Sequence, residues 1–372
     1  MSHKRNVETI YPLAKGSVSS KINSAAFSAQ ESTANERILS ISEPLEGNKP
    51  AAVNKEATLH ASSKSFRGHL TQPSESQLAP IDLHLAQYDY QPTFKSYQDG
   101  PARNIDKRDS DDPLFVTAYV QDMYMYYREQ EHRAVVGPYM HHQQAMNATT
   151  RAVLIDWLCE VHHKLKFTPE TLHLTVNIVD RYLTKKANVM RRELQLIGTT
   201  ALLIASKYEE ICPANIDDLV EACAGTYPHG EIVETEETIL KTLNYQISIP
   251  TIYNFLVRYL NAAHADIKLC YLSSYIAEGS LHSYGMMKKY KPSLLAAAAI
   301  LIGRKAIGRN VWSPTLLKYS NYREEDVIPV ARDLIAKMTK EMSSHTKLVS
   351  LRKKYGSSRL HKVVSISLPS EI

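Results

Sequence analysis

The chain has 372 residues, 44% hydrophobic and 22% charged, the balance of a soluble globular protein with room for two domains and a tail. Its net charge of +5 sits at one end: residues 347–372 hold six basic side chains against Glu371, so residues 1–346 are neutral. A solvated basic terminus is expected there, and the broad basic face that nucleic acid needs is absent.

Residues 1–112 are rich in Ser, Thr, Ala, Gln, Asn and Pro with no sustained apolar period. Such a segment buries too little surface to offset its ordering entropy, so a disordered tail is expected, with a short helix near residues 80–87. The first strong element is predicted over Pro113–Glu131, capped by Asp111 or Asp112 with Pro113 in the first turn. Thr149–Phe167 follows, carrying Val153, Leu154, Trp157, Leu158, Val161 and Leu165 as one helical stripe. Thr168-Pro169-Glu170 starts another helix, ending near Leu183. Arg191–Glu210 is apolar almost all round at Ala201–Ala205, the signature of a buried central helix. Ile216–Ala224 and Glu231–Leu243 complete that set. A second set is predicted at Thr251–Ala263, Asp266–Tyr284, Pro292–Ile307, Pro314–Tyr319 and Arg323–His345.

The two sets superpose at an offset of 98 residues. Trp157 falls on Phe255, Leu174 on Leu272, Ile178 on Ile276 and Leu183 on Leu281, while Ala201, Ala205 and Lys207 fall on Ala299, Gly303 and Lys305. One register serves three successive helices, which marks an internal repeat. Small residues on the third helix of each set let its neighbours approach closely. The expected fold class is all-α: two similar five-helix domains at 113–248 and 249–346, with an extra leading helix, the disordered tail and a basic extension at 347–372.

Cys159, Cys212, Cys223 and Cys270 lack CxxC spacing and mostly lie in apolar helical stretches, which argues against zinc or a disulfide framework and for core thiols in a reducing compartment. No secretory signal is seen, and the longest apolar run, Leu294–Gly303, is too short for a bilayer. The paired histidines His141-His142 and His162-His163 do not form a metalloprotease pattern. No catalytic constellation, cofactor, metal site, nucleic-acid partner or membrane partner is expected.

Thr150–Leu158 resembles the opening helix of a cyclin box, and Val179–Leu183, Ala205–Ile211 and Leu240–Tyr245 agree with the family in order. Tyr119–Tyr124 and Lys354–Ser358 resemble B-type cyclins in particular, with A-type the alternative. The resemblance covers roughly residues 112–369. It implies two tandem cyclin boxes and a non-catalytic subunit that forms a heterodimer with a cyclin-dependent protein kinase and activates it at the G2/M transition, shuttling between nucleus and cytoplasm. A rival of another class, a nucleic-acid-bound factor of the transcription factor IIB type, also uses tandem boxes. It carries a zinc ribbon and basic surfaces that this sequence lacks.

Site residues follow from the same resemblance. Arg151 and Asp180 take the family's structural ion pair. Lys207 and Glu236 take the pair that grips a kinase helix, with Tyr208, Glu209, Leu240, Tyr245 and Ile247 around it and Tyr119 and Met123 on the leading helix; Leu240 is the best candidate among them for simple core. Val153, Leu154, Trp157, Glu160, Arg191 and Gln195 map to a groove for Arg-x-Leu peptides of kinase substrates or inhibitors, where Thr150 replaces the family's usual Met. Arg67 and Leu70 supply the minimum of a destruction box, through which a ubiquitin ligase would engage the tail.

Overall fold

The computed structural model describes residues 101–309, 312–341 and 348–372, and within them every regular element is helical. A leading helix α1 (Val120–Gln130) precedes a first repeat of α2 (Ala148–Leu165), α3 (Pro169–Lys185), α4 (Arg191–Glu209), α5 (Ile216–Ala222) and α6 (His229–Thr242). The second repeat comprises α7 (Ile252–Ala262), α8 (Ile267–His282), α9 (Tyr284–Lys289), α10 (Pro292–Ala306), α11 (Pro314–Ser320) and α12 (Glu324–Glu341); α13 (Ser350–Tyr355) closes the chain. The 98-residue shift holds in space: α3 maps onto α8 within a residue, and α5 falls on α11. The additional helix α9 occupies the place of the short α3–α4 connection and was not predicted.

Each repeat wraps a central helix. Ala201, Leu202, Leu203 and Ala205 of α4 have no exposed surface, nor do Ala296–Ile300 of α10. Gly303 shows why the small residues are needed: a β-carbon there would stand 2.8 Å from the Ser273 hydroxyl and 3.0 Å from Leu269. Helices α8 and α10 could not close to this distance around a larger side chain.

Helix starts are satisfied by different means. Asn147 caps α2 by accepting from the Thr150 amide at 2.9 Å, and Asp266 caps α8 through the Leu269 amide at 2.9 Å. Thr168 does not cap α3 with its own oxygen. Its amide and hydroxyl donate to Glu210 at 2.7 and 3.0 Å, and Thr171 donates to the same oxygen at 2.5 Å. The carboxylate after α4 therefore serves the orphan donors of α3, which fixes the outer end of the central helix.

Three expectations are corrected. The helix predicted from Pro113 to Glu131 is interrupted: a 3-10 turn at Pro113–Phe115 ends on Val116 in the left-handed region, and α1 begins only at Val120. Asp112 does cap that turn through the Leu114 amide. Residues 103–106, expected in the disordered tail, lie against the second repeat. There Ile105 is buried, its amide donates to the Tyr319 hydroxyl at 3.2 Å, and Asp106 pairs with Arg258. Finally, the basic extension is not a solvated terminus. Leu348, Leu351, Tyr355 and Val363 are buried, and α13 packs on α2 and α8.

Candidate binding surface

The leading helix sorts its residues by what lies beneath it. Tyr124 donates to the Asn254 carbonyl at 2.8 Å, and its ring meets Phe255 edge-on. Arg128 donates to Tyr322 at 2.7 Å, and Glu131 accepts from the Ser293 amide at 3.1 Å. The helix is thus fastened to the second repeat along one side. Tyr119, Met123 and Tyr126, spaced by four and three residues, are left exposed on the other. Tyr126 was not among the expected residues, though its spacing in the sequence puts it on the same stripe.

The end of α4 lies near this stripe, since the Tyr127 hydroxyl is pushed upward by burial and by Glu209, Tyr208 and Tyr126. Lys207 reaches both oxygens of Glu236 at 2.8 Å, with the lysine side chain 47% exposed and the glutamate 14%. Tyr208 and Ile211 project beside it, Ile211 almost entirely in solvent at 97%. Glu209 is solvent-accessible as a residue, yet partial burial of its carboxyl, with Glu170 and Glu210 close by, pushes it up to about 7. Helix α6 ends in a Schellman motif: Tyr245 donates to the Leu240 carbonyl at 2.9 Å and Asn244 to Lys241 at 3.0 Å. Asn244 and Tyr245 both take positive φ, 51° and 56°. A tyrosine in that region is uncommon, and here it leaves the ring 64% exposed. Leu240 is half-buried against the core, whereas Ile247 is buried. The expectation that Leu240 is the simple core residue of this set is therefore reversed.

The structure thus brings Lys207 and Glu236 together, with Tyr208 and Glu209 next to Lys207 on α4 and α1 within their electrostatic reach through Tyr127. A charged grip amid exposed aromatic and aliphatic side chains can hold polar backbone groups at its centre and exclude water around them.

Arg151 and Asp180 lie in the interior with no exposed side-chain surface. The guanidinium donates from Nε and Nη2 to the two carboxylate oxygens at 2.7 and 2.6 Å, and the Tyr139 hydroxyl donates to Asp180 at 2.7 Å. Nη1 crosses to the second repeat and donates to the carbonyls of Leu281 and His282 at 2.8 and 3.1 Å. Burial pushes the Tyr139 hydroxyl well above its ordinary range, and the Asp180 charge adds to it. The pair therefore joins the repeats as well as two helices of one.

In the groove set, Val153, Leu154, Trp157 and Gln195 are buried, Arg191 is half-buried at the start of α4, and Glu160 stands at the rim. The apolar floor is mostly core. Met190, which was not expected in the set, exposes 44% of its surface just before α4. Among the cysteines, Cys212 is exposed rather than in the core; the other three are buried. Arg67 and Leu70 lie outside the described residues.

Two helical repeats of one arrangement, joined by buried polar contacts and carrying one mixed exposed face, are tandem cyclin boxes. The family model for the cyclin N-terminal domain matches residues 122–248 and that for the C-terminal domain residues 250–369, so the chain belongs to the cyclin family. It is similar to G2/mitotic-specific cyclin-B2 of Mesocricetus auratus, 32% identical over 98% of this chain and 93% of that one. The corresponding human protein is 33% identical over 87% of this chain and 81% of its own length. Cyclin-B2-1 of Oryza sativa subsp. japonica is 45% identical, over 64% of this chain and 57% of the rice protein; the chain thus spans a little over half the length of that relative. These similarities place it with the B-type cyclins.

Proposed function

We propose that the chain binds a cyclin-dependent serine/threonine kinase through the face around Lys207 and activates it at the G2-to-mitosis transition, contributing no catalytic group of its own. The observation that carries this reading is the Lys207–Glu236 pair. It is held in one geometry at the surface, with exposed Tyr208 and Ile211 following Lys207 in the chain and exposed Tyr245 just beyond the helix that carries Glu236. A lysine donor and a glutamate acceptor side by side can take the free carbonyl and amide groups of another protein's helix end. The exposed rings would cover that contact. Docking shifts the kinase toward its active arrangement only by the difference in affinity between its two states. The kinase supplies the aligned lysine, carboxylates and magnesium that phosphoryl transfer requires.

The test is Lys207→Glu in the full chain. It places two carboxylates face to face, so kinase binding and stimulated phosphate transfer should fall at least about 30-fold, the loss typical of a broken interfacial charge pair. The circular dichroism spectrum should not change. Ordinary kinase stimulation by this variant would remove the proposed role. A ubiquitin ligase acting through Arg67 and Leu70 belongs to the same reading, and loss of cell-cycle-timed degradation in Arg67→Ala/Leu70→Ala tests it.

A further inference from the structure

Two acids lie one turn apart on α2, and the C-terminal segment reaches both. Asp156 accepts from the Val349 amide at 3.1 Å and from the Ser350 amide and hydroxyl at 3.0 Å each. Its carboxylate thereby serves as the cap that α13 lacks in its own sequence. Buried Glu278 of α8 fixes the other end of α13, accepting from Lys354 at 2.7 Å and the Tyr355 hydroxyl at 2.8 Å. With both ends held, the intervening Lys353 is carried to 3.8 Å from Glu160. The lysine side chain is 57% exposed and the glutamate 16%.

Glu160 is the rim carboxylate of the groove set, and a peptide bearing a cation ahead of a leucine would need it. Lys353 already supplies a cation there. Its neighbour Lys354 differs: it is 11% exposed and tied to both oxygens of Glu278. One lysine of the adjacent pair is locked into the fold, while the other has a long contact and an exposed stem.

We infer that Lys353 is a specificity-determining residue of the peptide groove: an internal, displaceable cation on Glu160 that lowers the groove's affinity for positively charged peptides. The inference rests on the groove assignment carried by Val153, Leu154, Trp157, Glu160, Arg191 and Gln195. A peptide arginine must displace Lys353, and it is favoured over it by bidentate geometry. The groove is thereby tuned toward arginine and away from weaker cations. A peptide with no cation gains nothing from displacing the lysine and should be indifferent to it.

The test is fluorescence polarisation on the full chain with a labelled Arg-x-Leu peptide and its Gln-x-Leu counterpart. An exposed pair of this kind contributes modestly, so Lys353→Gln should tighten the arginine peptide about two- to five-fold and leave the glutamine peptide unchanged. Lys353→Arg should restore the weaker binding, and Glu160→Gln should abolish the difference between the peptides. Raised salt should shrink the gain, because Lys353 faces solvent. If Glu160→Gln weakens the arginine peptide while Lys353→Gln changes nothing, the role of Lys353 is overturned and the groove stands. If Glu160→Gln has no effect on either peptide, the groove assignment itself falls. Equal tightening of both peptides would overturn the charge argument. Unchanged melting temperatures show that the variants remain folded.

Discussion

Arg151–Asp180 and Lys207–Glu236 both join side chains 29 residues apart within the first repeat, yet one is sealed from water and the other reaches it through a lysine side chain that is 47% exposed. The buried pair is tied in on both sides: Asp180 also accepts from Tyr139, and Nη1 of Arg151 donates to two carbonyls of the second repeat. Among the described residues the exposed pair makes no further hydrogen bond, and the exposed Tyr208 follows Lys207 directly in the chain. A buried pair holds a fold because losing either member strands a charge in a low-dielectric interior. A surface pair contributes little to stability, so its fixed geometry is free to serve a partner.

Four measurements break or sharpen that contrast. The largest effect is expected for Arg151→Ala, which strands Asp180. It should destabilise the chain by about 3–5 kcal/mol, read as a fall in the urea midpoint, and should loosen both repeats together. Lys354→Met comes next. Burial alone would raise the Glu278 carboxyl, but Lys354, Tyr355 and His162 hold it below its ordinary value. Removing the lysine leaves that carboxylate in the interior at a cost of about 2–3 kcal/mol, with early proteolysis of residues 348–372 as the sign.

The third measurement concerns pH. Burial pushes His173 down to about 4 and His162 to about 3, with Lys354 adding to both shifts. Unfolded histidine titrates near 6.5, so between about 4 and 6.5 the unfolded chain binds more protons than the folded one. Stability should therefore fall as pH drops through that window, by about 1.4 kcal/mol per unit for each histidine at full slope. Neither nitrogen of His173 has a hydrogen-bond partner among the described residues, so His173→Leu should remain folded and flatten the slope. A stability curve of unchanged steepness in that variant would contradict this assignment. The smallest stability effect belongs to Lys207→Ala, within about 1 kcal/mol, even though the proposed kinase affinity should drop. If its stability loss matched that of Arg151→Ala, the contrast between the pairs would fail.

Much of the scaffold was legible before the structure. The central helix was predicted at Arg191–Glu210 and runs Arg191–Glu209, because an uninterrupted apolar stretch leaves it no alternative but burial. The 98-residue repeat survives in space for the same reason. Two short elements escaped. Helix α9 spans six residues, too few for a period to show. In α13, Leu351 and Tyr355 carry the buried face, but Arg352-Lys353-Lys354 between them dominate the composition. Its anchors lie 194 and 77 residues away, at Asp156 and Glu278, and spacing cannot reveal such distant partners. Motif resemblance brought Lys207 and Glu236 together across 29 residues; it could not tell that Ile247 goes inward while Leu240 stays half-open.

The segments flanking the repeats are crossed. Residues ahead of the first repeat are pinned to the second through Ile105 and Asp106, and residues beyond the second repeat are pinned to the first through Asp156. During synthesis the leading repeat therefore leaves the ribosome with an empty cap acceptor, which stays empty until some 190 further residues have been made. Helix α13 is among the first repeat's finishing contacts, so the first box is completed only by a segment that lies beyond the second, even though the boxes look separable.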